Sequence, residues 1–254
     1  MKFKKIAALL GAFTIASSLL IAGCGNAGNS QKAWRVGTDA TYAPFGFKDK
    51  DSGKLAGFDI DIINAIANEE GIEADIQNLA LQSNTIDIAI SDMTISEERA
   101  KSVDFSKPYY IAGNGLVVNI DNTNINSFKD LEGKRIGVSI GSTGAEIASK
   151  IPNAEVRQFN IIVDAFLELQ NKGVDVVIND TPVNEYYVNG KGKGIAKVTG
   201  EDYDAAPLGI AVKKGNTELL NKINDGLAKI KANGKYAEVY KKWFGKEPPA
   251  EVLK

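Results

Sequence analysis

The stretch from Ile86 to Tyr110, IDIAISDMTISEERAKSVDFSKPYY, constrains this chain more than any other. Ile86, Ile88 and Ile90 alternate with Asp87 and Ala89, the period of a strand, and the small polar residues Ser91 and Asp92 stop the run. Thr94 and Glu97 have the spacing of a capping box, so a helix is predicted to start just after Thr94, with Arg99 near its first turn. Backbone N–H groups, a threonine hydroxyl and a guanidinium then share one small volume. In an open α/β sheet that volume lies beyond the carboxyl end of a strand, where ligands bind. A guanidinium suits a small carboxylate because it donates two parallel hydrogen bonds. A solvated arginine in the charged turn EERAK accounts for the same residues.

With 254 residues, 44% of them hydrophobic, the chain can build one large domain or two lobes with separate cores. It begins MKFKKIAALLGAFTIASSLLIAGC, with Lys2, Lys4 and Lys5 followed by an apolar stretch interrupted by Gly11, Thr14, Ser17 and Ser18, the pattern of a secretory signal. Ala22 and Gly23 directly before Cys24, the single cysteine, favour cleavage over a transmembrane anchor. Leu20 to Cys24 resembles a bacterial lipobox. The resemblance implies a signal peptide over 1–23 and a mature chain held at the extracytoplasmic face of the cell membrane by acyl groups, palmitate among them, on Cys24. One cysteine cannot form an internal disulfide, which agrees with use as an attachment point. Residues 24–33 have the small polar composition of a flexible tether. Loss of the three leader lysines takes the net charge from −2 to −5, an acidic balance that argues against nucleic acid as partner.

Further along, Trp34 to Asp39 reads as a short strand ending in a carboxylate, and Tyr42, Phe45 and Phe47 follow on a proline-bearing loop as ligand wall or satellite core. Ile62, Ile63 and Ile66 with Ala65 fit a helix capped near Asp59 and closed by Gly71. Ile72 to Gln77 alternates like a strand. The residues from Asn78 to Thr85 that lead to the next strand are too few for a crossover with its own helix. Leu116 to Asn119 is an extended run able to cross between lobes. After it come KRIGVSI, AEVRQF and VDVVIND as strands and TGAEIASKI, IVDAFLELQNKG and TPVNEYYV as helices, an order that repeats the first half. Ala205 to Lys214 offers a second crossing, and Thr217 to Gly245 two helices split at Asn233-Gly234. The expected fold class is α/β, two lobes joined by two extended crossings, with a cleft between them.

Several chemistries are excluded. The chain has no histidine, so Gly137-Val138-Ser139-Ile140-Gly141, which matches the G-x-S-x-G pattern, has no base to activate its serine. No P-loop is present, and the common zinc sites lose their usual ligand. Gly141-Ser142-Thr143-Gly144 at a predicted helix start offers amides and hydroxyls to a carboxylate oxygen, or is an ordinary helix cap. Asp180, at the end of VDVVIND, either caps the next helix or faces the cleft to hold an ammonium.

Together the segments VGTDATYAPFGF, GFDIDIINAIA, IDIAISDMTISEERAKSVDFSKPYY, GKRIGVSIGSTGAE, VDAFLELQNKGVDVVINDTP and NGKYAEVYKKWFG resemble the polar amino-acid binding proteins of bacterial ABC importers, with type II periplasmic binding-protein architecture. The resemblance implies lobe 1 from 34–112 and 207–254, lobe 2 from 113–206, no cofactor and no metal, and a monomer that delivers a free polar amino acid, glutamine-like or basic, to a permease. By the same resemblance Arg99 binds the α-carboxylate with Thr94 and Thr143. Asp180 and the Asp92 backbone carbonyl take the α-ammonium, Tyr42 forms an aromatic wall and Asp39 faces the distal group. Ser139 stands where some glutamine-binding relatives carry a lysine. The chain departs from the family between Gln77 and Gln82, where an aromatic-Asp-Gly segment that supplies a second aromatic wall is missing. A same-fold periplasmic enzyme of the cyclic-acid dehydratase kind, or a variant with an impaired clamp, are the alternatives; the expected class is not an enzyme.

Cys24→Ala should leave the protein in the medium or unprocessed, because the acylated cysteine is the expected membrane hold. Membrane fractionation with detergent-free washing measures this, and unchanged association contradicts the anchor.

Overall fold

The computed structural model describes residues 33–78 and 86–253. The first half runs β1 (Trp34–Thr38), β2 (Thr41–Tyr42), β3 (Gly46–Lys48), β4 (Leu55–Ala56), α1 (Phe58–Glu69), β5 (Ala74–Asn78), β6 (Ile88–Ala89), α2 (Glu97–Ala100) and β7 (Val103–Phe105). Next come β8 (Tyr110–Asn119), a 3₁₀ turn (Phe128–Leu131), β9 (Arg135–Ser139), α3 (Thr143–Ala148), β10 (Glu155–Phe159), α4 (Ile162–Gln170), β11 (Val176–Asp180) and α5 (Thr181–Asn189). The chain closes with β12 (Ala196–Leu208), β13 (Ala211–Lys213), α6 (Thr217–Ala232), α7 (Lys235–Phe244) and α8 (Ala250–Leu253). Among the described residues no helix is long and apolar enough to cross a membrane.

One sheet has the order β5-β1-β6-β13-β7 and the other β10-β9-β11-β8-β12. In the first, β5, β1 and β6 are parallel and β13 is antiparallel to its neighbours; in the second, β10, β9 and β11 are parallel and β8 is antiparallel to β11. The repeated order is the doubly wound pattern. Helices therefore cover both faces of the second sheet, which explains why β11 is buried along its length and apolar from Val176 to Ile178 and not on alternate residues. Val176 and Ile178 pack with Ile136 and Val138 on one side, while Val177 joins Phe166 and Leu169 of α4 on the other.

The repeat extends to side chains. Arg35 donates from Nε and Nη2 to Asp87 at 2.7 and 2.5 Å, and the Asp87 amide donates to the Arg35 carbonyl at 2.8 Å. Arg135 donates from the same two nitrogens to Asp175 at 3.1 and 2.5 Å, with the Asp175 amide 2.8 Å from the Arg135 carbonyl. Each pair ties the start of the first parallel strand of its sheet, β1 or β9, to the residue preceding the third, β6 or β11. The registers agree as well, Val36 opposite Ile88 and Ile136 opposite Val176. Counting forward from these anchors, Asp92 and Asp180 fall at equivalent positions of the two halves.

Two strands carry the chain between the sheets. β8 and β12 pair antiparallel from Tyr110 with Leu208 to Asn119 with Ala196, and β12 is interrupted by register shifts around Tyr203. The second crossing thus lies upstream of the predicted Ala205 to Lys214; that run breaks after Leu208, and β13 joins the first sheet. The predicted strand Ile86 to Ile90 is shorter, Ile88–Ala89, although Ile90 still donates its amide to the Gly37 carbonyl at 3.0 Å. Thr94 is no helix cap. It bridges Leu208 in extended form, and Ser96 accepts from the Arg99 amide at 3.3 Å instead. Residues 79–85 of the short connection lie outside the described residues; the strands on either side of it, β5 and β6, flank β1 on opposite sides in parallel.

The core of the first lobe is aromatic. Phe58 at the start of α1 meets Phe45, Tyr109, Tyr110, Tyr236, Tyr240 and Phe244, the centroids lying 5.1 to 6.1 Å apart. Gly57 makes that approach possible: at φ 139° a Cβ would stand 1.9 Å from the Phe45 carbonyl oxygen. Asp59, expected at the helix cap, instead shares the buried face of α1 with Ile62, Ile63 and Ile66 and is fully enclosed. Its Oδ1 accepts from the Tyr109 hydroxyl at 2.8 Å and its Oδ2 from the Asp92 amide at 2.9 Å.

Burial lifts the Asp59 carboxyl from 3.8 to about 7, against those two hydrogen bonds, which lower it. Above 3.8 the unfolded chain releases a proton that the folded chain keeps, so the stability this group contributes is full below 3.8 and is lost as pH rises toward 7. Asp49, Asp104, Asp130 and Asp175 act oppositely at lower pH, since hydrogen bonds hold their carboxyls below the ordinary value. Urea unfolding of the unliganded chain should therefore show stability highest near about pH 4 and lower by about 2 to 4 kcal/mol at about pH 7.5. Asp59→Asn should flatten this slope; an unchanged slope contradicts the assignment.

Candidate functional site

The parallel order places a switch point between β1 and β6 in one sheet and between β9 and β11 in the other, and clefts at such points are where open α/β sheets bind ligands. The predicted site residues sit at these four strand ends. Asp39 follows β1, Asp92, Thr94 and Arg99 follow β6, Ser139 ends β9 with Thr143 just beyond, and Asp180 ends β11. Cys24 lies outside the described residues.

Tyr42 reaches from β2 across the cleft. Its hydroxyl lies 2.5 Å from Asn179 Oδ1 and 2.6 Å from Asp180 Oδ2, and its single proton serves one acceptor at a time. Burial and the neighbouring carboxylates, Asp180 foremost, push the phenol well upward, so it stays a donor. Asp180 occupies the position before α5, yet its side chain makes no capping bond to the helix. It is 8% exposed, and burial raises its carboxyl to about 6, although the Tyr42 hydrogen bond and Arg99 act downward. The Asp180 side chain therefore turns to Tyr42 and not to the start of α5.

Arg99 also spans the cleft. Its Nη1 donates to the Thr94 carbonyl at 3.0 Å and its Nη2 to the Gly141 carbonyl at 3.1 Å. Backbone carbonyls are weaker partners for a guanidinium than a carboxylate, which would take both nitrogens in parallel. Gly141 leads into α3, where Ser142 and not Thr143 is the cap, accepting from the Ala145 amide at 3.1 Å. That leaves the Thr143 hydroxyl beside Asn114 at 3.3 Å. Ser139 has its carbonyl engaged by Ser142 Oγ at 2.8 Å. Asp39 is tied locally: its Oδ1 accepts from the Thr41 amide and hydroxyl at 2.8 and 2.7 Å, and its own amide donates to Ser91 Oγ at 3.0 Å.

Asp92 is buried at φ 47°. Burial and repulsion from Asp180 and Asp59 push its carboxyl well up, with Arg99 opposing. Sequence reasoning missed three participants. Asp59 was hidden by its resemblance to a cap, although its spacing from Ile62, Ile63 and Ile66 marked the buried face. Asn179 beside Asp180 and the side chain of Asp92 carry no sequence signal beyond marking the end of a strand. Outside the strand ends, Phe47 meets Tyr186 of α5 with ring centroids 6.1 Å apart, a third contact between the lobes.

Comparison with known proteins agrees with this arrangement. The chain is 34% identical over 273 residues to the ABC transporter glutamine-binding protein GlnH of Bacillus subtilis (strain 168), covering 96% of this chain and 97% of that protein. Among solved structures, an ancestral arginine-binding protein bound to arginine is 44% identical, with a TM-score of 0.80 and coverage of 85% of this chain and 100% of the other. An ancestral amino acid-binding protein described as a precursor of cyclohexadienyl dehydratase is 40% identical, with a TM-score of 0.76 over 84% of this chain and 95% of the other. The model of one family, bacterial extracellular solute-binding proteins, family 3, matches residues 34–246, and to that family the chain belongs.

Proposed function

We propose that this chain captures a polar amino acid outside the cytoplasm and hands it to the permease of an ABC importer. The observation that carries this is the opposition of Arg99 and Asp180 across one cleft, a cation and an acid fixed on different lobes, with Tyr42 spanning the space between. A free amino acid presents the complementary pair of charges. In this reading Arg99 takes the α-carboxylate, helped by Thr94 and Thr143, Asp180 takes the α-ammonium, and Tyr42 packs against the side chain. Asp39 and Ser139 lie toward the distal end and accept from an amide or a basic group. Lobe 1 comprises 34–112 with 207–254 and lobe 2 113–206, so each boundary falls inside a crossing strand. The lipid anchor at Cys24 and a monomeric state belong to the same reading.

A substrate-binding role is supported by the glutamine and arginine named for similar proteins. Enzyme chemistry is the competing class, because one similar structure is described as the precursor of a dehydratase. Incubation with the bound amino acid and recovery of unchanged ligand separates the two.

A thermal-shift screen against the twenty amino acids tests capture directly. A ligand present at about a hundred times its Kd stabilises by about 2.7 kcal/mol, a clear shift in melting temperature. Arg99→Ala should weaken binding of the best ligand by about 2 to 5 kcal/mol in calorimetry, because a buried carboxylate loses its paired donor. Binding equal to that of the parent chain removes Arg99 from the site.

A further inference from the structure

Asn179 follows the apolar run Val176-Val177-Ile178 in β11 and is itself only 2% exposed. Its backbone carbonyl accepts from Asn184 Nδ2 at 2.8 Å, so the turn from strand to helix is tied without its side chain. That side chain reaches the other lobe instead. Its Oδ1 lies 2.5 Å from the Tyr42 hydroxyl, while its Nδ2 has no hydrogen-bond partner among the described residues. A buried carboxamide with both N–H groups unpaired destabilises the fold and calls for an explanation.

The phenol is contested as well. Asp180 Oδ2 stands 2.6 Å from the same oxygen, and a hydroxyl has one proton for these two acceptors. The two ends of a carboxamide are alike in size, so hydrogen bonds decide which of them faces the phenol. With Nδ2 turned to the Tyr42 oxygen, Asn179 donates to the phenol and the phenol donates to Asp180, in one continuous chain. Each of these protons then has its own acceptor. The turn leaves a buried carbonyl oxygen spare, a smaller loss than two unpaired N–H groups. Tyr42 keeps its proton throughout, because burial and Asp180 push the phenol upward.

We infer that Asn179 is a positioning residue for the aromatic wall: its Nδ2 donates to the Tyr42 oxygen, commits the phenolic proton to Asp180 and fixes where the ring stands. The inference rests on the amino-acid reading above, in which Tyr42 packs against the ligand side chain, and Asn179 acts through that ring. Tyr42 ends β2, a strand of two residues paired with β3, so backbone pairing holds the near end of the side chain only. The far end is held by lobe 2, by a donor and an acceptor on adjacent residues. A ring tied at both ends presents the same face to every ligand, so Asn179 governs affinity in general and not the choice among side chains.

Calorimetry of the full chain tests this in a double-mutant cycle of Asn179→Leu and Tyr42→Phe. The probes are L-arginine, L-glutamine and the strongest ligand of the amino-acid screen. Loss of the hydrogen bond that orders the wall should raise Kd about fivefold for each ligand that the parent chain binds. In the Tyr42→Phe background, which has no hydroxyl to position, the same substitution should change Kd by less than about twofold. Asn179→Ala repeats the comparison if the leucine variant does not fold. Asn179→Asp at about pH 8 keeps the shape and the acceptors but removes the donor, and should weaken binding at least as much as leucine does. A Kd for Asn179→Leu within about twofold of the parent overturns the inference. An equal loss with and without the Tyr42 hydroxyl also overturns it, by giving Asn179 a merely structural role, as does an Asn179→Asp chain that binds as tightly as the parent. Parent binding is saturable in each of these failures. A parent that binds none of the twenty amino acids instead overturns the amino-acid reading, and this inference with it.

Discussion

Burying Asp59, Asp92 and Asp180, with Arg99 acting on the last two, removes more negative than positive charge from water, and the architecture of the cleft depends on how that imbalance is held. Asp59 is satisfied by a phenol and an amide, Asp180 by Tyr42, and Asp92 has no donor for its side chain among the described residues. The carboxyls respond by holding protons more tightly. Such an arrangement is unfavourable as packing alone. It becomes intelligible when the missing positive charge arrives with a ligand.

The sheets explain how four strand ends come to face one another. Each half has its second strand on one side of the first and its third on the other, so each opens a crevice at the carboxyl ends of the first and third strands. The arginine–aspartate clamps Arg35–Asp87 and Arg135–Asp175 fix the opposite ends of those strands in both halves. Among the described residues β8 and β12 run between the sheets, and Leu208 of β12 bridges Thr94 in the segment that carries Arg99. Tyr42 with Asp180, Arg99 with Gly141 and Phe47 with Tyr186 then draw the lobes together. A ligand that binds both lobes adds to these contacts and favours the closed arrangement in proportion to its differential affinity.

Much of this was legible in the sequence, for identifiable reasons. Strands with both faces covered appear as apolar runs, and the residues that end them mark the cleft, so Arg99, Asp180 and Thr143 could be placed from the strand-to-helix boundaries. β12 was largely illegible because it is an edge strand. Its segment from Gly200 to Asp204 is exposed, carries two register shifts and shows no alternation. The capping box at Thr94 failed because a tertiary bridge to Leu208 overrode a local preference. Asp59 was misjudged since the first residues of a helix are where acids usually sit exposed, whereas here Gly57 folds the helix start into the aromatic core. The pairing of Asp92 with Asp180 needed the registers, which sequence spacing alone did not supply.

The most direct test of the whole account is a crystal structure of the chain grown with the amino acid that raises its melting temperature most. The account predicts the α-carboxylate on Arg99, drawing the guanidinium from the Thr94 and Gly141 carbonyls, and the α-ammonium at Asp180 with Tyr42 against the ligand. A ligand seated away from the four strand ends, or an Arg99 that still donates to both carbonyls with the amino acid bound, would contradict it.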